Sequence, residues 1–162
     1  HIPLVLLVDV PAFMVGSQAE QLGTLRDGMR AVYVAMQASV PMFTVVIRKC
    51  YGMAGMATCD KNQLDFKIAW PSAEWGSLPV EGGVAAAYRR ELAAAADPQQ
   101  RTAELEAELR RYASPFLTAG AFAVEDVIDP RDRRAYLCRF IEAAQTRIAT
   151  SLGPKHKSGV RP

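Results

Sequence analysis

The sequence predicts an α/β fold built on a parallel sheet. Short apolar runs rich in Val, Ile and Leu alternate with segments of helical character, the order that produces strand–helix–strand units. The longest runs, near Pro3–Val8 and Pro41–Ile47, are apolar but for Thr44 and do not alternate, as strands covered on both faces do. Asp97-Pro98 and Asp129-Pro130 each read as a helix start, with Asp as N-cap and Pro at the first helical position, where its missing N–H costs nothing.

The elements follow in order. Ile2–Val10 (IPLVLLVDV) reads as a strand buried on both faces, and Pro11–Gly16 as the loop at its carboxyl end. Ser17-Gln18-Ala19-Glu20 has the spacing of a capping box, and a helix should run from it to about Ser39. Leu22, Leu25, Met29, Val32 and Met36 recur at three- and four-residue spacings and predict one buried stripe. Pro41–Ile47 is the second strand, followed by a turn and a short helix over Arg48–Met56. Phe66–Trp70 is a third strand, Pro71–Gly83 a loop, and Gly82–Ala96 an alanine-rich helix. The helix after Pro98 should bury Leu105, Leu109 and Tyr112, and the one after Pro130 Leu137, Phe140, Ile141, Ala144 and Ile148. Ala123–Ile128 reads as a short strand between them. Residues 1–152 are thus expected to form the folded unit, and 153–162 an irregular basic tail.

Composition narrows the function. The 162 residues suffice for one sizeable core. A net charge of only +2 argues against a strongly basic nucleic-acid binder, and no apolar run reaches the roughly 18–20 residues of a membrane span. The opening residues lack the basic segment and small-residue cleavage site of a signal peptide, and His1-Ile2-Pro3-Leu4 reads as the middle of a longer protein. Cys50, Cys59 and Cys138 form no C-x-x-C pair, so a zinc-ribbon or thioredoxin-type site is not predicted; buried structural thiols in a reducing compartment are. The only histidines, His1 and His156, lie at the two extremes of the chain. Chemistry that needs an interior imidazole is therefore disfavoured.

In parallel α/β folds ligands gather at the carboxyl ends of strands, here the loops Pro11–Gly16 and Tyr51–Met56. The second carries the sharper signal. A glycine-containing turn into a helix presents free backbone N–H groups that can hold an anion or oxyanion without a histidine. A plain tight turn, with Gly and Ala permitting close packing, explains the same residues. A dinucleotide site is unsupported: Gly16 is the only glycine in the first loop. Asp9 is read either as a loop cap or as a catalytic carboxylate, with the cap favoured. Glu81 is read as a first-turn carboxylate favourable to a helix dipole, and Arg48-Lys49 as solvated.

Several segments together carry a resemblance. The run Ile2–Gly16 resembles the I-P-L-V-F-L-x-D-V-P-G-F-x-x-G stretch of the carboxyltransferase β subunits of biotin-dependent acyl-CoA carboxylases, of propionyl-, acetyl- and methylcrotonyl-CoA type. Val45–Gly52 (VVIRKCYG), Ala69–Glu74 (AWPSAE), Glu81–Val84 (EGGV) and Asp126–Arg131 (DVIDPR) follow in the family's order. The resemblance implies a crotonase-type superhelix of ββα units, of which this chain matches the later part of the second carboxyltransferase domain. It implies carboxyl transfer from carboxybiotin, borne on a separate carrier, to an acyl-CoA enolate held by backbone oxyanion holes. It places one such hole at the N–H groups of Met53 and Ala54, with Phe13, Gly16, Tyr51, Gly52, Gly55, Met56, Glu81 and Gly82 around biotin or substrate. It implies a biotin carboxylase and carrier subunit as partners, a homo-oligomer, no metal, no nucleic acid and no membrane, and a cytoplasmic or mitochondrial-matrix location. A decarboxylase or transcarboxylase working through the same site, and a non-catalytic assembly module, are the alternatives. Met53 stands where the family has glycine and is expected to resist a left-handed backbone. Met56 adds bulk in the acyl pocket, Ala12 replaces a glycine, and Pro79 removes one N–H.

Overall fold

The computed structural model describes residues 2–56 and 65–150. His1, Cys59, His156 and the tail expected over 153–162 lie outside them. Five strands make one sheet: β1 Leu4–Val10, β2 Met42–Tyr51, β3 Asp65–Ala69, β4 Glu74–Gly76 and β5 Asp126–Val127. Every pairing is parallel. β3 lies along Met42–Val46 of β2, and β4 along its last residues, Lys49–Tyr51. The sequence placed β4 inside a loop. Three residues are too few to show a period, and only the partner strand makes them a strand.

The two-residue period of the strands divides the core between the sheet's faces. Phe43, Val45 and Ile68 pack with Ile128, Phe140 and Ala144 on one face. Val8, Val46, Cys50, Ala69, Ala73 and Val124 form the core of the other. The last helix, α8 (Arg133–Ile148), covers the first face; the Phe140 ring lies 5.1 Å from that of Phe43. Ile141 of the expected stripe is 39% exposed, because a stripe that wide reaches past the sheet.

Both Asp-Pro starts form as expected. Asp97 accepts from the N–H groups of Gln99 and Gln100 and opens α6 (Pro98–Tyr112). Asp129 accepts from the Arg131 N–H at 2.9 Å and opens a 3-10 turn, Pro130–Asp132, that leads into α8. The Arg131 guanidinium, and then that N–H, hold the Asp129 carboxyl down at about 2. In α6 Leu105 is buried but Tyr112 is exposed. A helix the sequence reading lacked, α7 (Pro115–Gly120), starts with Ser114 as its cap.

Elsewhere the expectations need correction. The helix after the first loop is two helices, α1 (Ser17–Leu22) and α2 (Thr24–Gln37), separated by Gly23 in the left-handed region at φ +74°. The capping box does not form: Gly16 is the N-cap, Ser17 is already helical, and no side chain caps α1. The alanine-rich helix is also two, α4 (Val80–Ala87) and α5 (Arg89–Ala94), with Glu81 and Gly82 non-helical near the start of α4. The stripe on α1 and α2 is not buried: no residue of α2 is, and Leu22 and Leu25 are more than half exposed. β1 is an edge strand with Leu4, Val5 and Leu7 open, not a strand covered on both faces. Apolar periodicity marks a face that needs cover; it does not say that the same chain provides it. Of the described cysteines Cys50 is buried and Cys138 exposed, so only the first fits a structural thiol.

Candidate active site

The site is built where β2 ends. Val8 of β1 is in register with Val46, but Val10 is in register with Cys50, so β2 bulges between them. Asp9 bridges the bulge: its Oδ1 accepts from the Lys49 N–H at 3.0 Å. Asp9 thus accepts from a backbone N–H, but on the neighbouring strand, so it bridges two strands and is not the loop cap expected.

Beyond the bulge the chain makes its turn on glycine. Tyr51 is 1% exposed. Gly52 takes φ +57°, and a Cβ there would stand 3.2 Å from the Ser77 carbonyl oxygen. The helix α3 (Gly52–Met56) starts at once. A Cβ on Gly55 would stand 2.8 Å from both the carbonyl carbon and Sγ of Cys50, so α3 folds back onto the strand it left. The left-handed residue is thus Gly52 and not Met53, and the strain expected at Met53 is absent, since every described positive-φ residue but Phe122 is glycine. The first helical turn leaves its opening N–H groups without intrahelical acceptors. Here they belong to Gly52, Met53 and Ala54.

Gly52, Met53 and Gly55 line a cleft of about 640 Å³, within the range of small-molecule sites, with Trp75 and Gly76 of β4, Lys67 of β3 and Ala123 among the other walls. The Met53 side chain is 40% exposed, whereas Ala54 is buried at 5%. β4 also borders a second, polar pocket, lined by Glu74, Glu81, Arg110 and Ser114. Lys49 Nζ lies 3.5 Å from Glu81, so Lys49 is paired and not simply solvated. The Tyr51 hydroxyl donates to Glu74 Oε2 at 3.0 Å.

Burial, and then the bond to Glu74, push the Tyr51 hydroxyl well above its ordinary range. The folded protein keeps this proton after the unfolded chain has lost it, so unfolding releases a proton once the pH passes about 10. Stability contributed by Tyr51 is therefore present below that pH and falls above it. Denaturation midpoints from pH 8.5 to 11 should show this alkaline loss, and Tyr51→Phe should flatten it.

The structure brings together only part of the predicted set. Gly52, Met53 and Gly55 share the cleft. The Tyr51 ring is buried and its hydroxyl engaged by Glu74, on the side of the polar pocket. Glu81 lines that pocket, and Gly82, at φ +81°, sits beside it in the chain with open space around it. Phe13 is packed on Gly28 of α2, where a Cβ would come within 2.5 Å of its ring. Gly16 caps α1 and is open. Neither residue is a wall of the cleft. Met56 ends α3, and its side chain lies outside the described set. Lys67, Trp75, Glu74 and Arg110 were missed. Trp75 and Glu74 sat in an assumed loop, and Lys67 on a strand read only for its apolar neighbours. Among the described residues no group of three His, Cys, Asp or Glu could hold a metal ion, and no helix is long and apolar enough to cross a membrane.

Amide donors beside apolar walls and one lysine suit an anionic or oxyanionic ligand with an apolar body. Comparison with known proteins is consistent with that chemistry. The carboxyl transferase domain family matches residues 1–158. The chain is 39% identical over 158 residues to the methylmalonyl-CoA carboxyltransferase 12S subunit of Propionibacterium freudenreichii subsp. shermanii, covering 96% of this chain and 30% of that protein. It is 34% identical over 162 residues to the biotin-dependent acetyl-/propionyl-coenzyme A carboxylase beta5 subunit of Mycobacterium leprae, with 96% and 30% covered. The transcarboxylase 12S crystal structure, a hexamer with methylmalonyl-coenzyme A and methylmalonic acid bound, superposes with a TM-score of 0.77 at 38% identity over 99% of this chain and 31% of that one. The chain spans under a third of the length of each. A crotonase-like carboxyltransferase fold accounts for the parallel strands and the amide-bearing turn alike: this chain belongs to the carboxyl transferase domain family.

Proposed function

We propose that this chain supplies the biotin-side half of a carboxyltransferase site, in an enzyme that moves a carboxyl group from carboxybiotin to an acyl-CoA. The observation that carries the reading is the turn Tyr51–Met56, with its left-handed Gly52 and its helix folded back through Gly55. The Met53 and Ala54 N–H groups would hold the ureido oxygen of biotin, where negative charge grows as the carboxyl group leaves. Met53 and Trp75 give the ring an apolar wall and keep water out. Lys67 gives the cleft a positive wall suited to a carboxylate. When bound, carboxybiotin supplies the carboxyl group, and no side chain here has to act as a general base.

The acyl-CoA, the biotin carboxylase and carrier partners, and a homo-oligomeric holoenzyme belong to the same proposal. Exposed apolar side chains on β1, α1 and α2, among them Leu4, Leu7, Leu22, Leu25 and Val34, favour an assembly role alongside catalysis. α8 spends its Phe140 and Ala144 on the core.

The test follows ATP-dependent incorporation of labelled bicarbonate into acetyl-, propionyl-, butyryl- and 3-methylcrotonyl-CoA. The holoenzyme should label at least one of them, and this chain alone none. A holoenzyme with a demonstrably carboxylated carrier that labels no acyl-CoA overturns the reading; full-rate labelling by this chain alone overturns its assignment as half a site.

A further inference from the structure

We infer that Tyr51 is a positioning residue: through its hydrogen bond to Glu74 it clamps β4 onto the end of β2 and so sets where the Gly52–Ala54 amides point. The inference rests on the carboxyltransferase reading and extends it to a side chain that touches no ligand. Tyr51 is the last residue of β2, one position before the left-handed Gly52. Lys49, Cys50 and Tyr51 pair in register with Glu74, Trp75 and Gly76. The ring is held from one side by Gly76, where a Cβ would stand 2.9 Å from its Cε1. It is held at its tip by Glu74, which accepts from the hydroxyl at 3.0 Å.

Packing alone does not call for a tyrosine here. A phenylalanine would fill the same 1%-exposed space, and the hydroxyl's added consequence is a bond to one residue of β4. That bond is well placed to act on the cleft. β4 contributes Trp75 and Gly76 to the cleft wall, and the Ser77 carbonyl just after it stands against Gly52. β4 is in turn tied down, because the Trp75 N–H donates to the Ala113 carbonyl between α6 and α7 at 3.1 Å. If β4 shifts against β2, both walls of the cleft move against the amides. A tyrosine hydroxyl is protonated throughout the physiological range, so it stays a donor to Glu74 there.

The test compares Tyr51→Phe with Glu74→Gln in the holoenzyme. Phe keeps the ring and loses the bond; Gln keeps an oxygen that can accept from the tyrosine and loses only the charge. Tyr51→Phe should lower kcat about tenfold with KM for acyl-CoA unchanged, while Glu74→Gln keeps at least half of kcat. Amide hydrogen exchange over residues 50–56 should quicken about tenfold in Tyr51→Phe and not in Glu74→Gln. A Tyr51→Phe holoenzyme with wild-type kcat and exchange overturns the clamp. So does an equal loss of kcat in the two variants with wild-type exchange in both, which would be a loss that does not pass through the position of the turn. The exchange contrast is read without turnover. If it appears in a holoenzyme that transfers no carboxyl group, the clamp stands and the carboxyltransferase reading falls; if transfer is normal and the contrast is missing, the clamp falls alone.

Discussion

Replacing Gly55 with alanine is expected to abolish carboxyl transfer in the holoenzyme, by 100-fold or more, and to destabilise the fold. The added methyl group meets the Cys50 carbonyl carbon and Sγ at 2.8 Å and its carbonyl oxygen at 3.0 Å. Two of these three atoms are backbone of a strand paired on both sides, with Val10 and with Trp75, so the strand cannot give way. α3 has to lift instead. Overpacking of this kind costs about 1–3 kcal/mol. Its effect on chemistry is larger, since moving oriented donors by about 1 Å can cost on the order of 100-fold. Chemical denaturation and initial rates of labelled-carboxyl incorporation would measure the two effects. Transfer at the wild-type rate would show that the position of α3 does not matter to the reaction, and the amide turn would lose its assigned role.

Replacing Met53 with proline is expected to cost about 100- to 1000-fold in kcat, the loss typical of one oxyanion donor. The substitution removes the N–H assigned to the ureido oxygen, at a first-turn position where a helix tolerates proline. Met53→Gly is the control. It keeps the N–H and removes a side chain that is 40% exposed. It should keep kcat within a few-fold of the parent. Equal losses in the two variants would assign the effect to the side chain and remove the amide from the mechanism. Circular dichroism and melting of both holoenzymes would show whether the proline variant is folded.

The residues that resemble the carboxyltransferase subunits divide by what sets them. Asp97 and Asp129 made their helix starts readable because a cap acts within three residues of itself. The turn at Tyr51–Met56 could be placed for a similar reason, as glycine and a strand end are local signals. Local signals also misled. Ser17 and Glu20 have the spacing of a capping box, yet Gly16 already caps α1. Met53 drew attention as the departure from the family, while the left-handed conformation falls one residue earlier, on a glycine that bears it without strain.

The sequence by itself determined the fold class, the three longer strands, the two Asp-Pro helix starts and the position of the amide-bearing turn. Each depends on residue types within a few positions of one another, through strand period, helix period and backbone capping. Only the tertiary structure decided that Glu74–Gly76 is a strand, that Lys67 and Trp75 face the turn across a cleft, and that Tyr51 turns away from that cleft to bond Glu74. It also decided that the stripe on α1 and α2 stays open. These facts rest on residues far apart in the chain being brought together, such as Gly52 and Ala123, which line one cleft. No local propensity encodes such contacts, because the same short segment is a loop or a strand according to what the rest of the chain lays beside it.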